Sequence, residues 1–208
     1  MNAFEKFLLL VKVSLPVLWI GPVLVFFGGL VISGADISFL AVIQLLLLSL
    51  PYNLLIYGIN DIYDYESDIR NPRKGGVQGL RLKKEQHAFV LRWSLFAGFI
   101  IMLSSVITFN LTNIIGAILA IVFSYIYSAP PIRLKVHPPL DSITNGFIYA
   151  LGPAIMGFSF GGTLFEMPVK AYWVAIGIIG MHAFSTILDY SADKEAGDRT
   201  FAVVFGKR

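Results

Sequence analysis

The sequence predicts an all-α, polytopic transmembrane helical bundle, and its composition, its apolar segments and its distribution of charge each lead to this fold class. Of the 208 residues, 56% are hydrophobic and 14% are charged, and the mean hydropathy is +0.74. Soluble domains are markedly less apolar than this. About six apolar segments approach the roughly 20 helical residues that cross a hydrocarbon core. We therefore expect a single integral-membrane domain over residues 1–208.

The apolar segments are separated by connections that alternate between short and long. The segments lie near residues 8–33, 37–58, 88–108, 111–128, 140–164 and 170–188. Pro16 and Gly21-Pro22 predict a kink or break in the first segment, and Gly152-Pro153 predicts one in the fifth, because proline removes a helical hydrogen bond. The short connections lie at 34–36, 109–110 and 165–169, and the long polar ones at 59–87 and 129–139.

The basic residues lie almost entirely on one side of this alternation. Of the 16 lysines and arginines, only Lys170 falls in a connection on the other side. The positive-inside rule therefore predicts that both termini and both long loops are cytoplasmic. The net charge of +3 follows from this topology and does not indicate a nucleic-acid partner. The chain has no cysteine, so any metal would be held by oxygen or imidazole ligands.

An acidic run, residues 60–68, follows the second apolar segment. If the helix continues through it, Asp61, Asp64 and Asp68 share one face. Like charges at this spacing repel by a few tenths of a kcal/mol per pair even on exposed helices, so we expect a cation among them. The simpler alternative is a solvated helix end.

A second acidic cluster ends the sixth apolar segment. Asp189 and Asp193 repeat the Asp-Tyr-x-x-Asp spacing of Asp64 and Asp68, and the even number of helices between the copies places both on the same membrane face. Carboxylate pairs near a bilayer are costly unless a cation compensates them. Mg²⁺ is typically held by one or two carboxylates together with substrate phosphates. The sequence therefore predicts a Mg²⁺-bridged diphosphate between the clusters, with Asn60 as an additional neutral ligand.

A basic loop follows the fourth apolar segment. Pro130-Pro131 predicts an extended backbone, in which Arg133 and Lys135, two residues apart, point the same way. Two cations aimed together suit a departing diphosphate, whose charge grows as its bond breaks. The alternative is a positively charged membrane anchor.

These three motifs, taken together, resemble those of the UbiA-type membrane prenyltransferases. The matching residues are Asn60-Asp61-x-x-Asp64-x-x-x-Asp68, Tyr127-Ser128-Ala129-Pro130-Pro131-x-Arg133-x-Lys135, and Asp189-x-x-x-Asp193-x-x-x-Gly197-x-x-Thr200. Their order and spacing match, and the resemblance covers most of the chain. Residues 52–61 and 71–76 look most like the lycopene elongase/hydratase branch of C50 carotenoid synthesis.

The resemblance implies a Mg²⁺-dependent enzyme of a prokaryotic cell membrane. It would transfer a prenyl group from an allylic prenyl diphosphate to a lipophilic acceptor, possible acceptors being lycopene, a quinone precursor or a lipid glycerol. The implied catalytic residues are Asp64, Asp68, Asp189 and Asp193. The implied metal ligands are these four and Asp61. The implied diphosphate-binding residues are Asn60, Arg73, Lys74, Tyr127, Arg133 and Lys135.

Members of this family usually carry nine transmembrane helices, with two or three after the second aspartate motif. The present sequence is therefore expected to be incomplete at its C terminus, the alternative being a shortened relative of the family.

Several aromatic residues near the motifs are candidates to line the cavity, although lipid-facing positions are the simpler interpretation for each. They are Tyr57, Tyr125, Tyr127, Phe147, Tyr149 and Phe184. His182 either faces the same cavity or bonds a neighbouring group.

Two non-enzymatic alternatives remain open at this stage. A transporter or channel would place ionisable groups near the bilayer midplane, whereas these acids lie at one mouth. The other alternative is a catalytically silent scaffold.

Overall fold

The computed structural model describes residues 1–69, 71, 74–75 and 79–206, and the regular structure of this part of the chain is entirely helical. Its α-helices are Ala3–Val13 (α1), Ile20–Ser33 (α2), Phe39–Leu47 (α3), Leu50–Tyr63 (α4), Tyr65–Asp68 (α5), His87–Val106 (α6), Leu111–Ser128 (α7), Leu140–Gly146 (α8), Gly152–Phe158 (α9), Trp173–Ala196 (α10) and Phe201–Phe205 (α11). A π-helical segment, Phe147–Leu151, joins α8 to α9. The predicted all-α class is confirmed.

Five helical stretches of the described chain are long and apolar enough to cross a membrane. They are Pro16–Ser33, Phe39–Tyr63, Lys84–Val106, Leu111–Ser128 and Val169–Ala196. The predicted segment 140–164 is also helical, running from α8 through the π-helical segment into α9. Its first turns carry buried polar residues, Asp141, Ser142, Thr144 and Asn145, which lower its hydropathy. The chain is an integral membrane protein.

The first predicted segment, 8–33, is divided in the structure. Helix α1 begins at Ala3 and ends at Val13, and Leu15 takes a left-handed conformation with φ of 49° before Pro16 opens a short 3₁₀ turn. The break expected at Pro16 is therefore confirmed, but the segment boundary at residue 8 was wrong. The indole nitrogen of Trp19 donates to the carbonyl of Ser14 at 3.0 Å and stabilises the break.

Glycines allow helices α2 and α7 to pack closely against α9. A Cβ on Gly157 would collide with the carbonyl oxygen of Phe26 in α2, and a Cβ on Gly116 in α7 would lie 2.8 Å from the backbone nitrogen of Met156. Small residues at helix crossings let backbones approach, which is how membrane helices gain packing energy. Helices α2, α7 and α9 therefore form the close-packed centre of the bundle.

The π-helical segment is stabilised by a neighbouring side chain. A π-helical turn shifts carbonyls out of the ordinary α-helical hydrogen-bonding register. Tyr52 of α4 is fully buried and its hydroxyl donates to the carbonyl of Ile148 at 2.7 Å. This contact joins α4 to the π-helical segment.

Candidate active site

The first acidic cluster lies where α4 passes into α5. Asp64 interrupts the helix, with φ of −95° and ψ of 8°. The helical hydrogen bonds nevertheless continue, from the Asp64 nitrogen to the Asn60 carbonyl at 2.8 Å and from the Asp68 nitrogen to the Asp64 carbonyl at 2.9 Å. The predicted continuation of the helix through the acids is thus essentially correct, with a local break at Asp64.

A lysine lies between two of these acids, as the repulsion argument predicts. The Lys74 ammonium is 2.6 Å from Asp61 Oδ1 and 2.8 Å from Asp68 Oδ2. Burial raises the pKa of Asp68 to about 7, although the charge of Lys74 opposes this rise. Burial alone would lower the pKa of Lys74, but the two carboxylates raise it above its ordinary value. Lys74 therefore stays charged.

The basic loop brings two further cations to Asp64, the acid of this cluster that Lys74 does not contact. The Lys135 ammonium lies 2.8 Å from Asp64 Oδ2 and 3.2 Å from Asp198 Oδ2. The Arg133 guanidinium lies 3.5 Å from Asp64 Oδ1 and 3.0 Å from Asp198 Oδ1. The predicted convergence of these two side chains is found, and Asp198 is a partner that the sequence argument did not single out.

The expected extended backbone of this loop was wrong. Arg133 takes a left-handed conformation with φ of 45°, its nitrogen bonds the carbonyl of Ala129 at 3.0 Å, and Leu134–Val136 form a 3₁₀ turn. The loop folds back because this local hydrogen bond closes a turn that contains the two prolines. Arg133 and Lys135 converge through that turn and not through strand-like alternation.

The second acidic cluster lies at the end of α10. Asp189 Oδ1 accepts a hydrogen bond from the Asn71 amide at 3.0 Å, and Asp193 Oδ2 accepts one from the Thr200 hydroxyl at 2.9 Å. Gly197 ends the helix with φ of 80°, a left-handed conformation that glycine adopts without strain. This turn brings Asp198 and Thr200 back to the cluster, which explains the Gly-x-x-Thr part of the motif.

A cavity of about 550 Å³ joins the two clusters. Eight predicted site residues line it: Asn60, Asp64, Asp68, Lys74, Tyr127, Lys135, Asp189 and Asp193. Asp61 and Arg133 do not lie in its wall but contact residues that do. The predicted residue Arg73 lies outside the described residues. Beyond the charged groups, the wall is apolar and includes Val25, Ile56, Ile148 and Ile178.

Half of the candidate aromatic residues face this cavity. Tyr57, Tyr127 and Tyr149 line it, and the Tyr149 hydroxyl donates to that of Tyr57 at 2.7 Å. Phe147 instead stacks on Phe123 with ring centroids 4.4 Å apart, and Phe184 is 71% exposed on the outer face of α10. Tyr125 is also outside the wall.

His182 both faces the cavity and bonds its neighbours. Its ring nitrogens lie 3.0 Å from the Tyr127 hydroxyl and 3.2 Å from the Ser142 hydroxyl.

The carboxylates of the site suit a metal whose remaining positions are filled by water and phosphate. In the part of the chain that the structure describes, no three acidic or histidine side chains are grouped so as to enclose an ion. Asp64 and Asp68 line one side of the cavity, Asp189 and Asp193 line another, and the amide of Asn60 lies beside Asp64. This donor set fits Mg²⁺, which is commonly bound by one or two carboxylates with the remaining positions filled by water and phosphate.

Asp198 and Asn71 are polar residues of the site that the sequence did not single out. Asp198 lies within the second acidic run and is only 4% exposed, so its place in that run was the available signal. Asn71 reaches Asp189 across 118 positions of sequence, and no local pattern indicates such a contact.

The fold and the cavity define a class of protein, an intramembrane helical protein with paired acids and cations at one end of an apolar cavity. Residues 7–208 match the UbiA prenyltransferase family, and the chain belongs to that family. It is therefore a transferase of prenyl groups, and the family predicted from the three motifs is confirmed.

Characterised relatives lie in carotenoid synthesis. The chain is 33% identical over 209 residues to a lycopene elongase/hydratase of Corynebacterium glutamicum, covering 98% of this chain and 71% of the relative. It is 35% identical over 201 residues to a lycopene elongase/hydratase of Halobacterium salinarum, covering 93% and 70% of the two chains. It is 34% identical to the C(50) beta-cyclic carotenoids biosynthesis protein LbtBC of a Dietzia species, covering 94% of this chain and 45% of that protein.

A solved structure shares the fold. A UbiA homolog from Archaeoglobus fulgidus bound to DMAPP and Mg²⁺ superimposes with a TM-score of 0.75 at 23% sequence identity, covering 98% of this chain and 70% of that one. The same homolog bound to GPP and Mg²⁺ superimposes with a TM-score of 0.73.

Proposed function

We propose that this protein transfers a prenyl group from an allylic prenyl diphosphate to a polyene acceptor such as lycopene, in a Mg²⁺-dependent reaction within the membrane. One observation carries the proposal. A single cavity has paired carboxylates and lysines at one end and an apolar wall beyond them. Such a cavity suits a donor that has a charged head and a hydrocarbon tail.

The charged end would bind the diphosphate. Asp64 and Asp68 on one side, and Asp189 and Asp193 on the other, would hold Mg²⁺, and Asp61 holds Lys74 in place. The ions, when bound, neutralise the diphosphate and stabilise the charge that develops as it leaves. Lys74, Lys135 and Arg133 supply fixed positive charge near the same oxygens, because each is already held against a carboxylate of the site.

The apolar end would hold the prenyl chain and the acceptor. Leu18 of the turn before α2 and Met181 of α10 line the cavity and are also 42% and 62% exposed. The cavity therefore reaches the lateral surface of the described bundle, where a lipophilic acceptor can enter from the bilayer. Tyr57, Tyr127 and Tyr149 line the cavity in which an allylic cation would form, and aromatic faces attract cations by about 0.5 to 2 kcal/mol each.

The proposal also specifies the prenyl acceptor and the orientation of the protein in the membrane. The names of the C. glutamicum and H. salinarum relatives support lycopene over a quinone precursor or a lipid glycerol. The distribution of basic residues supports cytoplasmic termini and a cytoplasmic charged mouth, in a prokaryotic cell membrane. Acids gathered at one end of the helices favour this enzyme over a transporter, which would carry them near the midplane.

The test is product analysis with the purified protein in lipid nanodiscs. Dimethylallyl diphosphate, Mg²⁺ and lycopene are supplied, and the extracted lipids are examined by mass spectrometry for a carotenoid enlarged by one prenyl unit. Parallel reactions contain a quinone precursor or a glycerol lipid in place of lycopene. Prenylation of one of those acceptors, with none of lycopene, would contradict the proposed acceptor and leave the transferase class intact.

A further inference from the structure

A chain of four hydrogen-bonded side chains leads from the cavity wall into the interior of the protein. The Tyr127 hydroxyl lies 3.0 Å from His182 Nε2, His182 Nδ1 lies 3.2 Å from the Ser142 hydroxyl, and that hydroxyl lies 3.3 Å from Asp141 Oδ1. Tyr127 and His182 line the cavity. Ser142 and Asp141 are 1% and 0% exposed. We call these four residues the relay.

The hydrogen bonds of Asp141 determine which group donates and which accepts in each hydrogen bond of the relay. Its Oδ1 accepts the backbone N–H of Ser142 at 2.7 Å, and its Oδ2 accepts that of Phe201 at 2.7 Å. The Ser142 hydroxyl has one proton, and donating it to Asp141 leaves its oxygen to accept from His182 Nδ1–H. This assigns the neutral tautomer of His182 in which Nε2 carries a lone pair and accepts the Tyr127 proton.

Prenyl transfer to an alkene requires a proton acceptor, and this step of the argument rests on the proposed function. The C–O bond of the donor breaks and its electron pair leaves with the diphosphate. The π electrons of the acceptor form the new C–C bond and leave a carbocation on the acceptor. Loss of a proton from the adjacent carbon, whose C–H electron pair becomes a new double bond, completes the reaction.

Asp64 and Asp68 are poorly placed to take that proton. Asp64 and Asp68 are ion-paired to Lys135 and Lys74 and face the charged end, where Mg²⁺ would engage them. His182 precedes Asp189 by about two helical turns, since an α-helix has 3.6 residues per turn, so it lies further along α10 toward the apolar wall. Within the described wall of the cavity, His182 provides the only imidazole.

We infer that Tyr127 and His182 are the proton acceptor of the transfer reaction, oriented by Ser142 and Asp141. The Tyr127 oxygen takes the proton of the acceptor cation as its own proton passes to His182 Nε2. The buried Asp141 carboxylate, two hydrogen bonds away, stabilises the imidazolium that forms, as a carboxylate does behind a catalytic histidine. Where water adds to the cation instead, the same pair takes the proton of the water.

The experiment compares His182→Gln and Tyr127→Phe with the unmodified protein in nanodiscs. Glutamine keeps a side-chain amide that can bond both Tyr127 and Ser142 but has no basic nitrogen. We expect His182→Gln to bind Mg²⁺–dimethylallyl diphosphate within about twofold of the unmodified protein, and both variants to form product at least about 10²-fold more slowly. His137→Gln is the matched control, because His137 is exposed and lies outside the cavity wall.

Two further measurements distinguish proton transfer from a structural role. Lycopene deuterated at the carbon that loses the proton should show a larger kinetic isotope effect with His182→Gln than with the unmodified protein, because proton removal becomes rate-limiting. Added imidazole should restore part of the activity of His182→Ala. A purely packing role would produce neither effect.

The possible failures are distinguishable. Equal rates and equal isotope effects for His182→Gln and the unmodified protein would overturn the relay and leave the proposed function standing. Loss of donor binding in His182→Gln in parallel with the loss of rate would also overturn it. If the unmodified protein binds the donor but prenylates no acceptor, the proposed function and the relay are both overturned.

Discussion

Two buried polar clusters lie toward opposite ends of α7, and they are built in different ways. Near the start of the helix, the amides of Asn113 and Gln44 form two reciprocal hydrogen bonds of 2.9 and 3.0 Å, and Asn113 also donates to the Ser159 hydroxyl at 2.8 Å. Both amides are 0% exposed. Near the end of the helix, the second cluster consists of the charged groups around Asp64 and Asp193.

The difference shows which cluster serves structure and which can exchange partners. The neutral cluster joins α3, α7 and α9 through contacts that satisfy its amides within the protein, and Gln44, Asn113 and Ser159 lie outside the wall of the site cavity. The charged cluster lines a cavity, and its carboxylates are ion-paired with lysines. Because lysine side chains are long and flexible, a metal-bound diphosphate can replace them as the partner of these carboxylates. The charged groups near the end of α7 are therefore available to a ligand, whereas the amides near its start stabilise the fold.

The largest expected effect comes from removing a carboxylate of the charged cluster. Asp64→Ala or Asp189→Ala should lower the rate of prenyl transfer at least about 10²-fold, because each would remove a group that holds the diphosphate or its metal. Initial rates in nanodiscs measure this effect. Glu66→Gln is the control, since Glu66 is exposed and makes only a 3.8 Å contact with Lys84. Full activity in either alanine variant would argue against the two-cluster site.

The second effect comes from breaking the neutral cluster. Asn113→Ala would leave the buried Gln44 amide without its main partner, and we expect a loss of about 1 to 3 kcal/mol in unfolding free energy. Unfolding in a graded denaturing detergent measures it, and donor binding should be unchanged in the folded variant. Ile118→Ala is the control on the same helix, because Ile118 is 43% exposed. A variant of normal stability would mean that the two clusters do not differ as described.

A smaller effect is expected from the more exposed of the two loop cations. Arg133→Gln should weaken binding of Mg²⁺–dimethylallyl diphosphate several-fold, or about 1 kcal/mol, because the side chain is 31% exposed and solvent screens its charge. Lys135→Gln should weaken it more, since that side chain is only 8% exposed between Asp64 and Asp198. Calorimetric titration measures both affinities. The anchor interpretation of this loop predicts that acceptor affinity, not donor affinity, falls.

A last expected effect is a pH dependence of stability, which the charged cluster has and the neutral amides of Asn113 and Gln44 lack. Burial raises the pKa of Asp68 to about 7 in the folded protein. The folded state thus retains this proton more strongly than the unfolded state, so the stabilisation is complete below the ordinary pKa and is lost as the pH rises toward 7. Asp68→Asn cannot titrate, and its melting temperature relative to the unmodified protein should rise between pH 4 and 7. A constant difference over that range would contradict the shifted pKa.

Much of the site could be predicted because local sequence controls the spacing of its acids. Asp64 and Asp68, and likewise Asp189 and Asp193, lie four residues apart on helices and face one cavity. The need for a cation among the first acids followed from their repulsion, and Lys74 meets it. The loop conformation was predicted incorrectly because the prolines restrict the backbone without determining that a turn closes around them.

The contacts between distant segments could not be predicted in the same way. Asn71 and Asp189, and Arg133 and Asp198, come together only when helices and loops pack. The relay has the same origin, since Tyr127, His182 and Asp141 lie on three different helices. None of these distances can be predicted from a single sequence.

The amino-acid sequence by itself determined that this protein is a membrane-embedded helical bundle with two acidic clusters, because hydropathy and helical spacing depend on residues that are close in the chain. Only the tertiary structure decided that Asp61 lies outside the cavity wall, where it bonds Lys74, while Asp64 and Asp68 line the cavity. The physical reason is that the rotation and crossing of each helix depend on its close-packed neighbours, above all the glycine contacts of α2 and α7 with α9.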